Sequence, residues 1–407
     1  MAAISVATAW EDRGSDGPAV QSNQNAVVRF YRPELDALRF FAFLAVFACH
    51  GLPFPGGQHP HILEATAWRI LQLVREAGSF GVCLFFVLSS YLITELLRRE
   101  AGQTGEINLR AFYLRRILRI WPLYFTVLCL SGAVGSIAPA IHMRPGQLLA
   151  NLLFVGNWFI VANPTATIPL AWLWSISVEE QFYIVWPAIT RLGGLRCVGI
   201  CSLLCVPLSA VSIAFAALHW QHLDVTVWLN SAVQFQFFAL GALIALFLSG
   251  KSPRISRWWR VAMFAAASAC WIAASGACLI KDPLTTPSIG QLYIGYELVA
   301  LGCLLFFFSA LGADVRRVSK RIIYLGKISY GLYVFHGIAL LLTTTVRQTL
   351  EALGGPQHGV AFFSAYLADR IVGLILTIAL SSLSYKYLET PFLKLKSRFT
   401  SVQSRAV

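Results

Sequence analysis

Charged residues are scarce in this chain of 407 residues. Only 13% of the residues are Asp, Glu, Lys or Arg, whereas 57% are hydrophobic. An ordinary soluble domain is about 25% charged, so the composition excludes that class. The apolar residues form helix-length blocks rather than short alternating strands, which excludes an outer-membrane barrel. The sequence therefore predicts an all-α membrane protein.

Several other common signals are missing. Residues 1–30 are polar and lack the basic start and apolar core of a cleaved signal peptide, so we interpret them as a disordered cytoplasmic tail. The nine cysteines do not form pairs in loops, which excludes a disulfide framework. Cys197, Cys201 and Cys205 share one helix face without a nearby histidine or carboxylate. We therefore predict that they pack and that the protein has no metal site.

The apolar blocks predict about ten transmembrane helices, because a hydrocarbon core about 30 Å thick needs roughly 20 residues per span. A shorter stretch at 146–161, flanked by Pro145 and Pro164, is predicted to be interfacial or re-entrant. The ten blocks are 37–54, 80–97, 119–139, 172–190, 195–218, 226–249, 258–280, 289–311, 328–346 and 361–385.

The positive charge supports a membrane topology rather than nucleic-acid binding. The net charge is +13, and most of the 32 lysines and arginines fall in cytoplasmic segments if both termini are cytoplasmic and ten helices alternate. We expect a membrane domain over residues 31–396, in contact with lipid, and a cytoplasmic tail over 397–407. The sequence leaves the oligomeric state open.

Polar residues inside apolar blocks are the first functional candidates, because they are costly in a membrane. His50 follows Arg39 by eleven residues, almost three helical turns, so the two share a face about 16 Å apart. An anion-binding arginine near the cytoplasm would then be aligned with a titratable base deeper in the membrane. A purely structural hydrogen-bonding role for His50 is the alternative.

Glu179 and Glu180 are adjacent carboxyls within an apolar helix, about 10 Å below its predicted outer end. At this depth one of them is expected to pair with His50 and support general-base chemistry. The alternative is a glutamate that pairs with a lysine or arginine to hold helices together. The supporting candidates on this helix are Ser175, Ser177 and Tyr183.

A third cluster comprises Arg115, Arg116 and Arg119, on a helix that enters the membrane from the cytoplasm. Guanidinium groups match the geometry of phosphate, so the cluster predicts a phosphate or pyrophosphate site. Ordinary positive-inside charge is the alternative.

Two further groups of polar residues have both structural and functional interpretations. Tyr333 and His336 share a helix face, and we take them as supporting candidates. For the hydroxyls of Ser89 and Ser90 we expect hydrogen bonds between helices. For Asp369 and Arg370 we expect an ion pair that involves other helices.

Taken together, these motifs resemble the acyltransferase-3 family of integral-membrane O-acyltransferases. The most specific match is Trp174-Ser-Ile-Ser-Val-Glu-Glu-Gln-Phe-Tyr183, followed by the Arg39-to-His50 spacing and the Arg116-x-x-Arg119 pair. The sequence departs from the family pattern at Ser90-Tyr91 and at Thr390, positions outside the proposed chemistry.

The resemblance implies an acyl donor, usually acetyl-CoA, at the cytoplasmic face of a bacterial inner membrane, and a hydroxyl of an envelope glycan or glycolipid as acceptor. Arg39, Arg115, Arg116 and Arg119 would hold the donor phosphates. His50 would act as base or acyl carrier, with Glu179 or Glu180 orienting it. The rival hypothesis is a glycolipid or polysaccharide transporter or flippase, although no inverted repeat supports it.

Overall fold

The computed structural model describes residues 30–52, 65–133, 141–166, 168–220, 222–282, 285–355, 359–396 and 399. Within these ranges the regular secondary structure is entirely helical. The prediction of an all-α protein is thereby confirmed. The predicted tails at 1–30 and 397–407 lie outside the described residues, except for Phe30 and Phe399.

Fifteen α-helices follow one another along the described residues. They are α1 (Pro33–Gly51), α2 (Ala65–Gly78), α3 (Gly81–Thr104), α4 (Leu109–Ala133), α5 (Pro145–Leu152), α6 (Gly156–Ala162), α7 (Trp174–His219), α8 (Leu223–Leu229), α9 (Ser231–Leu248), α10 (Arg257–Gly276), α11 (Ile289–Ala310), α12 (Lys320–Lys327), α13 (Ser329–Ala352), α14 (Gly359–Ser384) and α15 (Thr390–Lys396).

Every predicted apolar block overlaps a long helix in the described residues, but the blocks 172–190 and 195–218 both fall on α7. Helix α7 has 46 residues and would be about 70 Å long if straight, more than twice the thickness of a hydrocarbon core. Gly194 breaks it, with φ 63° and ψ −169°, so the two halves act as separate helices. The short stretch predicted at 146–161 contains α5 and α6, which are too short to cross a membrane.

Within the residues that the structure describes, six helical segments are long and apolar enough to cross a membrane. The chain is therefore a multi-pass membrane protein. Ten spans and cytoplasmic termini remain predictions. The six segments are Trp68–Thr104, Ala171–His219, Ser231–Leu248, Ile289–Ala310, Ser329–Ala352 and Ala361–Lys396.

Close helix contacts position α1 at the centre of the functional region. A Cβ atom on Gly78 would lie 2.3 Å from the carbonyl oxygen of Ala45, and one on Gly81 would lie 2.4 Å from that of Ala42. Glycine therefore lets the end of α2 and the start of α3 approach the α1 backbone. α1 also packs against α12 and α13. These contacts fix the helix that carries Arg39 and His50.

Candidate functional site

In the described part of the chain two cavities lie along α1, and the first is lined by three of the four predicted arginines. This arginine cavity has a volume of about 140 Å³. Its walls come from α1, α3, α4, α7, α13 and α15, so residues far apart in sequence meet there. Its charged lining residues are Arg32, Asp36, Arg39, Arg116, Arg119, Glu179 and Lys396.

Four arginines and Lys396 outnumber two carboxylates and give this cavity an excess of positive charge. Arg39 donates to Asp36 at 2.9 Å, which holds its guanidinium in place. The guanidinium of Arg116 lies over the rings of Phe112, at 5.5 Å, and Tyr183, at 5.2 Å. In the described part of the chain, Arg116 and Arg119 make no hydrogen bond or ion pair. Their charges are thus available to an anionic ligand.

The structure does not place Arg115 with the other arginines. Its guanidinium donates to the carboxylate of Glu100 at 2.9 Å and to the carbonyl of Phe399 at 2.7 Å. Glu100 also accepts from the backbone N–H of Asn108, so this ion pair ties the start of α4 to α3. Arg115 does not line the arginine cavity, because adjacent helical residues point about 100° apart, and the structure therefore gives no support to its predicted role in the phosphate site.

Glu179 is the carboxylate of α7 that faces the arginine cavity. Its side chain accepts hydrogen bonds from Ser89 and from Tyr183, one turn further along the same helix. Because Ser89 lies on α3, this bond joins two helices, as predicted for that hydroxyl. Glu179 is thus held by two hydroxyls inside the cavity.

Glu180 and Ser177 point elsewhere. Glu180 is buried and accepts from Nε1 of Trp121 on α4 at 3.3 Å. Ser177 is fully buried against Gly156 at the start of α6. Neither residue lines the arginine cavity or the second cavity described below. Their expected site roles are not supported, since helix rotation turns them into the protein interior.

The second cavity, here called the histidine cavity, has a volume of about 350 Å³ and contains His50. It is rich in charged and aromatic side chains from α1, α2, α8 and the loop after α10. Besides His50, its polar and tryptophan lining residues are Arg75, Glu76, Ser79, Trp172, Trp174, Asp224, Trp228, Lys281, Asp282 and Tyr333.

His50 pairs with His336 rather than with a glutamate. Nε2 of His336 lies 3.3 Å from Nδ1 of His50, and the ring centroids are 4.9 Å apart. Nδ1 of His50 also lies 3.0 Å from the carbonyl oxygen of Val46, and Nδ1 of His336 lies 2.5 Å from that of Tyr333. The expected pairing of His50 with Glu179 or Glu180 is therefore wrong.

These contacts assign the tautomers of the two rings. A carbonyl oxygen only accepts, so each Nδ1 carries a proton that it donates to the carbonyl beside it. In a neutral ring the other nitrogen then has a lone pair. Nε2 of His336 can therefore accept from the Nδ1–H of His50. Nε2 of His50 is then the basic nitrogen of the pair that is left for a substrate.

Tyr333 and Val82 line both cavities and so mark the junction between them. The hydroxyls of Tyr333 and Ser175 lie 2.5 Å apart, and Tyr333 also donates to the carbonyl of Trp172 at 2.7 Å. This network joins α13 to the start of α7. Ser175 and Tyr333, both predicted as supporting residues, thus meet between the arginines and the histidines.

The ring of Trp172 is fitted closely against α13. Its Nε1 donates to the carbonyl of Val334 at 3.1 Å, and its centroid lies 5.6 Å from that of His336. A Cβ atom on Gly337 would lie 2.5 Å from the Trp172 ring. Glycine at this position therefore allows Trp172 to form a wall of the histidine cavity.

Several lining residues were missed by the sequence analysis. Lys396 lies at the end of the last helix, where it was counted as ordinary cytoplasmic charge. Glu76 lies on α2, an amphipathic helix without a long apolar block. Lys281 lies in the loop after α10. Glu76 could have been noticed from the sequence, because it is an acidic residue two positions before Gly78. Lys281 and Lys396 could not, because only the tertiary fold brings them to the cavities.

The predicted ion pair near the end of the chain is present. Asp369 accepts from Arg370 at 2.7 Å and from Arg347 of α13 at 3.2 Å. Among the residues that the structure describes, no cluster of three or more histidine, cysteine or acidic side chains is arranged to hold a metal ion.

Comparison with known proteins agrees with the motifs. A protein of Staphylococcus aureus named "Putative O-acetyltransferase" is 24% identical over 395 residues, which cover 89% of this chain and 58% of that protein. The "Putative peptidoglycan O-acetyltransferase YrhL" of Bacillus subtilis is 28% identical over 385 residues, covering 89% of this chain and 55% of YrhL. The "Peptidoglycan O-acetyltransferase OatA" of Listeria monocytogenes is 30% identical over 174 residues, covering 39% and 24%.

The chain spans little more than half the length of the first two of these relatives. No solved structure matches it significantly. The sequence profile of the family described as "Acyltransferase domain" matches residues 32–386, nearly the whole chain, which confirms the resemblance seen in the motifs. The chain belongs to the acyltransferase-3 family.

Proposed function

We propose that the protein is a membrane O-acetyltransferase that moves an acetyl group from acetyl-CoA to a hydroxyl of a cell-envelope glycan. The observation that carries the proposal is the junction at Tyr333 and Val82, where a cationic cavity meets a cavity containing a histidine base. Two of the relatives are named for peptidoglycan, which makes peptidoglycan the first acceptor to test.

The arginine cavity suits a phosphate-bearing donor. Arg116 and Arg119 present guanidinium groups that make no hydrogen bond or ion pair within the described residues, and Arg39 is held in the same cavity by Asp36. A typical ligand pocket measures about 300–1,000 Å³, so a cavity of about 140 Å³ encloses only part of acetyl-CoA. In this proposal the arginines bind the phosphates while the thioester arm points towards Tyr333.

The histidine pair supplies the base for transfer. The acceptor oxygen attacks the thioester carbonyl while its proton passes to Nε2 of His50. A C–O ester bond forms and the C–S bond breaks. The CoA sulfur leaves as a thiolate and takes up the proton, which yields acetylated glycan and free CoA. His336 stabilises the protonated His50 by accepting from its Nδ1–H.

Nε2 of His50 is also the atom that would carry the acetyl group if His50 were a transient acyl carrier. We favour the base role, because the histidine cavity has space for an acceptor beside His50. Direct transfer also needs no movement of an acetylated imidazole from one substrate to the other.

We place the protein in the bacterial cytoplasmic membrane, with residues 31–396 as the membrane acyltransferase domain. The arginine cavity then takes its donor from the cytoplasm, where acetyl-CoA is made. The histidine cavity lies towards the opposite face, where an envelope glycan is found. Basic residues at the arginine end support this orientation.

Consumption of acetyl-CoA separates this proposal from a transporter or flippase. Purified protein in nanodiscs would be given isotope-labelled acetyl-CoA and peptidoglycan fragments, and ester-linked label on the glycan would be measured. We expect labelled glycan with the wild type and none with His50→Ala. Absence of acetyl-CoA consumption by the wild type, together with movement of glycolipid across the bilayer, would favour the transporter.

A further inference from the structure

Glu76 is a buried carboxylate with no use in the chemistry described so far. Its side chain is 1% exposed, and neither carboxylate oxygen has a hydrogen-bond partner among the described residues. An ionised carboxylate is a strong acceptor, and leaving it unsatisfied in the interior costs considerable free energy. Such a group in a cavity wall indicates that a ligand supplies the missing donors.

The fold holds Glu76 close to the proposed base. Glu76 lies two residues before Gly78, the point at which α2 touches the α1 backbone. Its own carbonyl accepts from Ser79 at 2.7 Å, which fixes the end of α2. Glu76 and His50 line the same histidine cavity. A ligand bonded to Glu76 would therefore lie in the cavity that contains His50.

The surrounding side chains favour a neutral, hydroxyl-rich ligand. Besides Glu76, two basic and two acidic side chains line the cavity, so these four charges balance and favour neither a cation nor an anion; they are Arg75, Lys281, Asp224 and Asp282. Trp172 and Trp228 offer flat apolar walls of the kind that pack against the C–H faces of sugar rings. Hydroxyl groups can donate to Glu76 and accept from the cationic side chains at the same time.

The loop that supplies Lys281 is held in an uncommon conformation. Lys281 and Leu279 both have positive φ, at 69° and 58°. This conformation is disfavoured for residues with a side chain, and such strain is concentrated at functional sites. Here it brings the Lys281 ammonium group to 5.0 Å from the centre of the Trp228 ring. The loop thus adds a cation and orders one aromatic wall.

We propose that Glu76 binds the hydroxyl groups of the glycan acceptor and thereby orients one of them towards Nε2 of His50. The inference rests on the proposed function and deepens it, since it assigns the acceptor site to the histidine cavity and its recognition to a carboxylate. Glu76 thus sets the affinity for the acceptor and takes no part in proton transfer.

The test compares wild type with Glu76→Gln, which preserves shape and removes the charge. The probe is chitopentaose, a soluble oligosaccharide of N-acetylglucosamine, and acetyl transfer is measured as a function of its concentration in nanodiscs. We expect the KM for chitopentaose to rise about tenfold or more, with the KM for acetyl-CoA unchanged. Glu106→Gln makes the same chemical change at an exposed position and should alter neither constant.

Binding of chitopentaose, followed by tryptophan fluorescence without acetyl-CoA, separates the two proposals. Trp172 and Trp228 line the cavity and provide the signal. Binding that is weakened by Glu76→Gln supports the acceptor site even if the protein fails to consume acetyl-CoA. Equal binding and equal KM in a Glu76→Gln protein that still binds acetyl-CoA would overturn the inference and leave the acetyltransferase proposal standing.

Discussion

Nε2 of His336 lies 3.3 Å from Nδ1 of His50, so two histidines on different helices form one hydrogen-bonded pair. His336 is fully buried and anchored by the carbonyl of Tyr333, whereas His50 stands at the cavity. This asymmetry gives the two rings different tasks. His50 faces the substrates and His336 sets its tautomer and orientation, as a carboxylate does in many other enzymes.

Replacing His336 should therefore slow the chemical step without weakening substrate binding. We expect His336→Ala to lower kcat by about 10²-fold while the KM for acetyl-CoA changes little, because the lost contact acts through His50. Steady-state kinetics in nanodiscs would measure both constants. A rise in KM with an unchanged kcat would contradict the positioning role.

The arginines divide into two groups that are distinguishable by mutation. Arg116→Ala and Arg119→Ala should each raise the KM for acetyl-CoA about ten- to hundredfold, because each removes a charged hydrogen-bond donor to phosphate. Arg115→Ala is the matched control on the same helix, since Arg115 is paired with Glu100 outside the cavity. Its KM should match that of wild type. If all three variants lose donor affinity equally, the assignment of the arginine cavity is wrong.

The adjacent glutamates should also behave differently. Glu179→Gln changes a group in the arginine cavity that is bonded to Ser89 and Tyr183, so we expect transfer to fall about tenfold or more. Glu180→Gln changes a carboxylate that faces Trp121 in the interior, so transfer should stay close to the wild-type rate. Parallel initial-rate measurements would test this order, and a reversed order would show that α7 is rotated.

Gly337 offers a steric test of the wall formed by Trp172. An alanine Cβ would lie 2.5 Å from the indole ring, so Trp172 must move and the histidine cavity must change shape. We expect Gly337→Ala to lower transfer severalfold in a folded protein. Gly290→Ala is the control, because a Cβ there meets no atom within 4 Å. Equal rates for the two variants would mean that the position of Trp172 does not matter for transfer.

The positions of the long helices can be predicted from the sequence, because each helix is indicated by residues that are close together in the chain. A run of apolar residues predicts a membrane-spanning helix whatever its neighbours in the fold are. The spacing of Arg116 and Arg119 likewise predicts that both lie on one face of α4. The break at Gly194 was also visible as a charged turn between two apolar blocks. The contact between Glu179 and Tyr183 agrees with their spacing of four residues on one helix.

The partners across helices could not be predicted in this way. His50 was assigned a glutamate by depth, but depth does not fix helix rotation or the order of helices around the site. Only the packing of α13 against α1 brings His336 to His50. The histidine cavity was missed for a related reason, since Glu76, Asp224 and Lys281 come from separate short segments that converge only in the folded protein.

The most direct test of the central claim is an acetyl-transfer assay with the two substrates on opposite sides of a membrane. Protein of determined orientation in sealed proteoliposomes would receive acetyl-CoA at the face of the arginine cavity and chitopentaose at the opposite face. We expect acetylated oligosaccharide in the second compartment, free CoA in the first, and neither product with His50→Ala. Transfer only when both substrates share one compartment would contradict the claim that the two cavities meet through the protein at Tyr333.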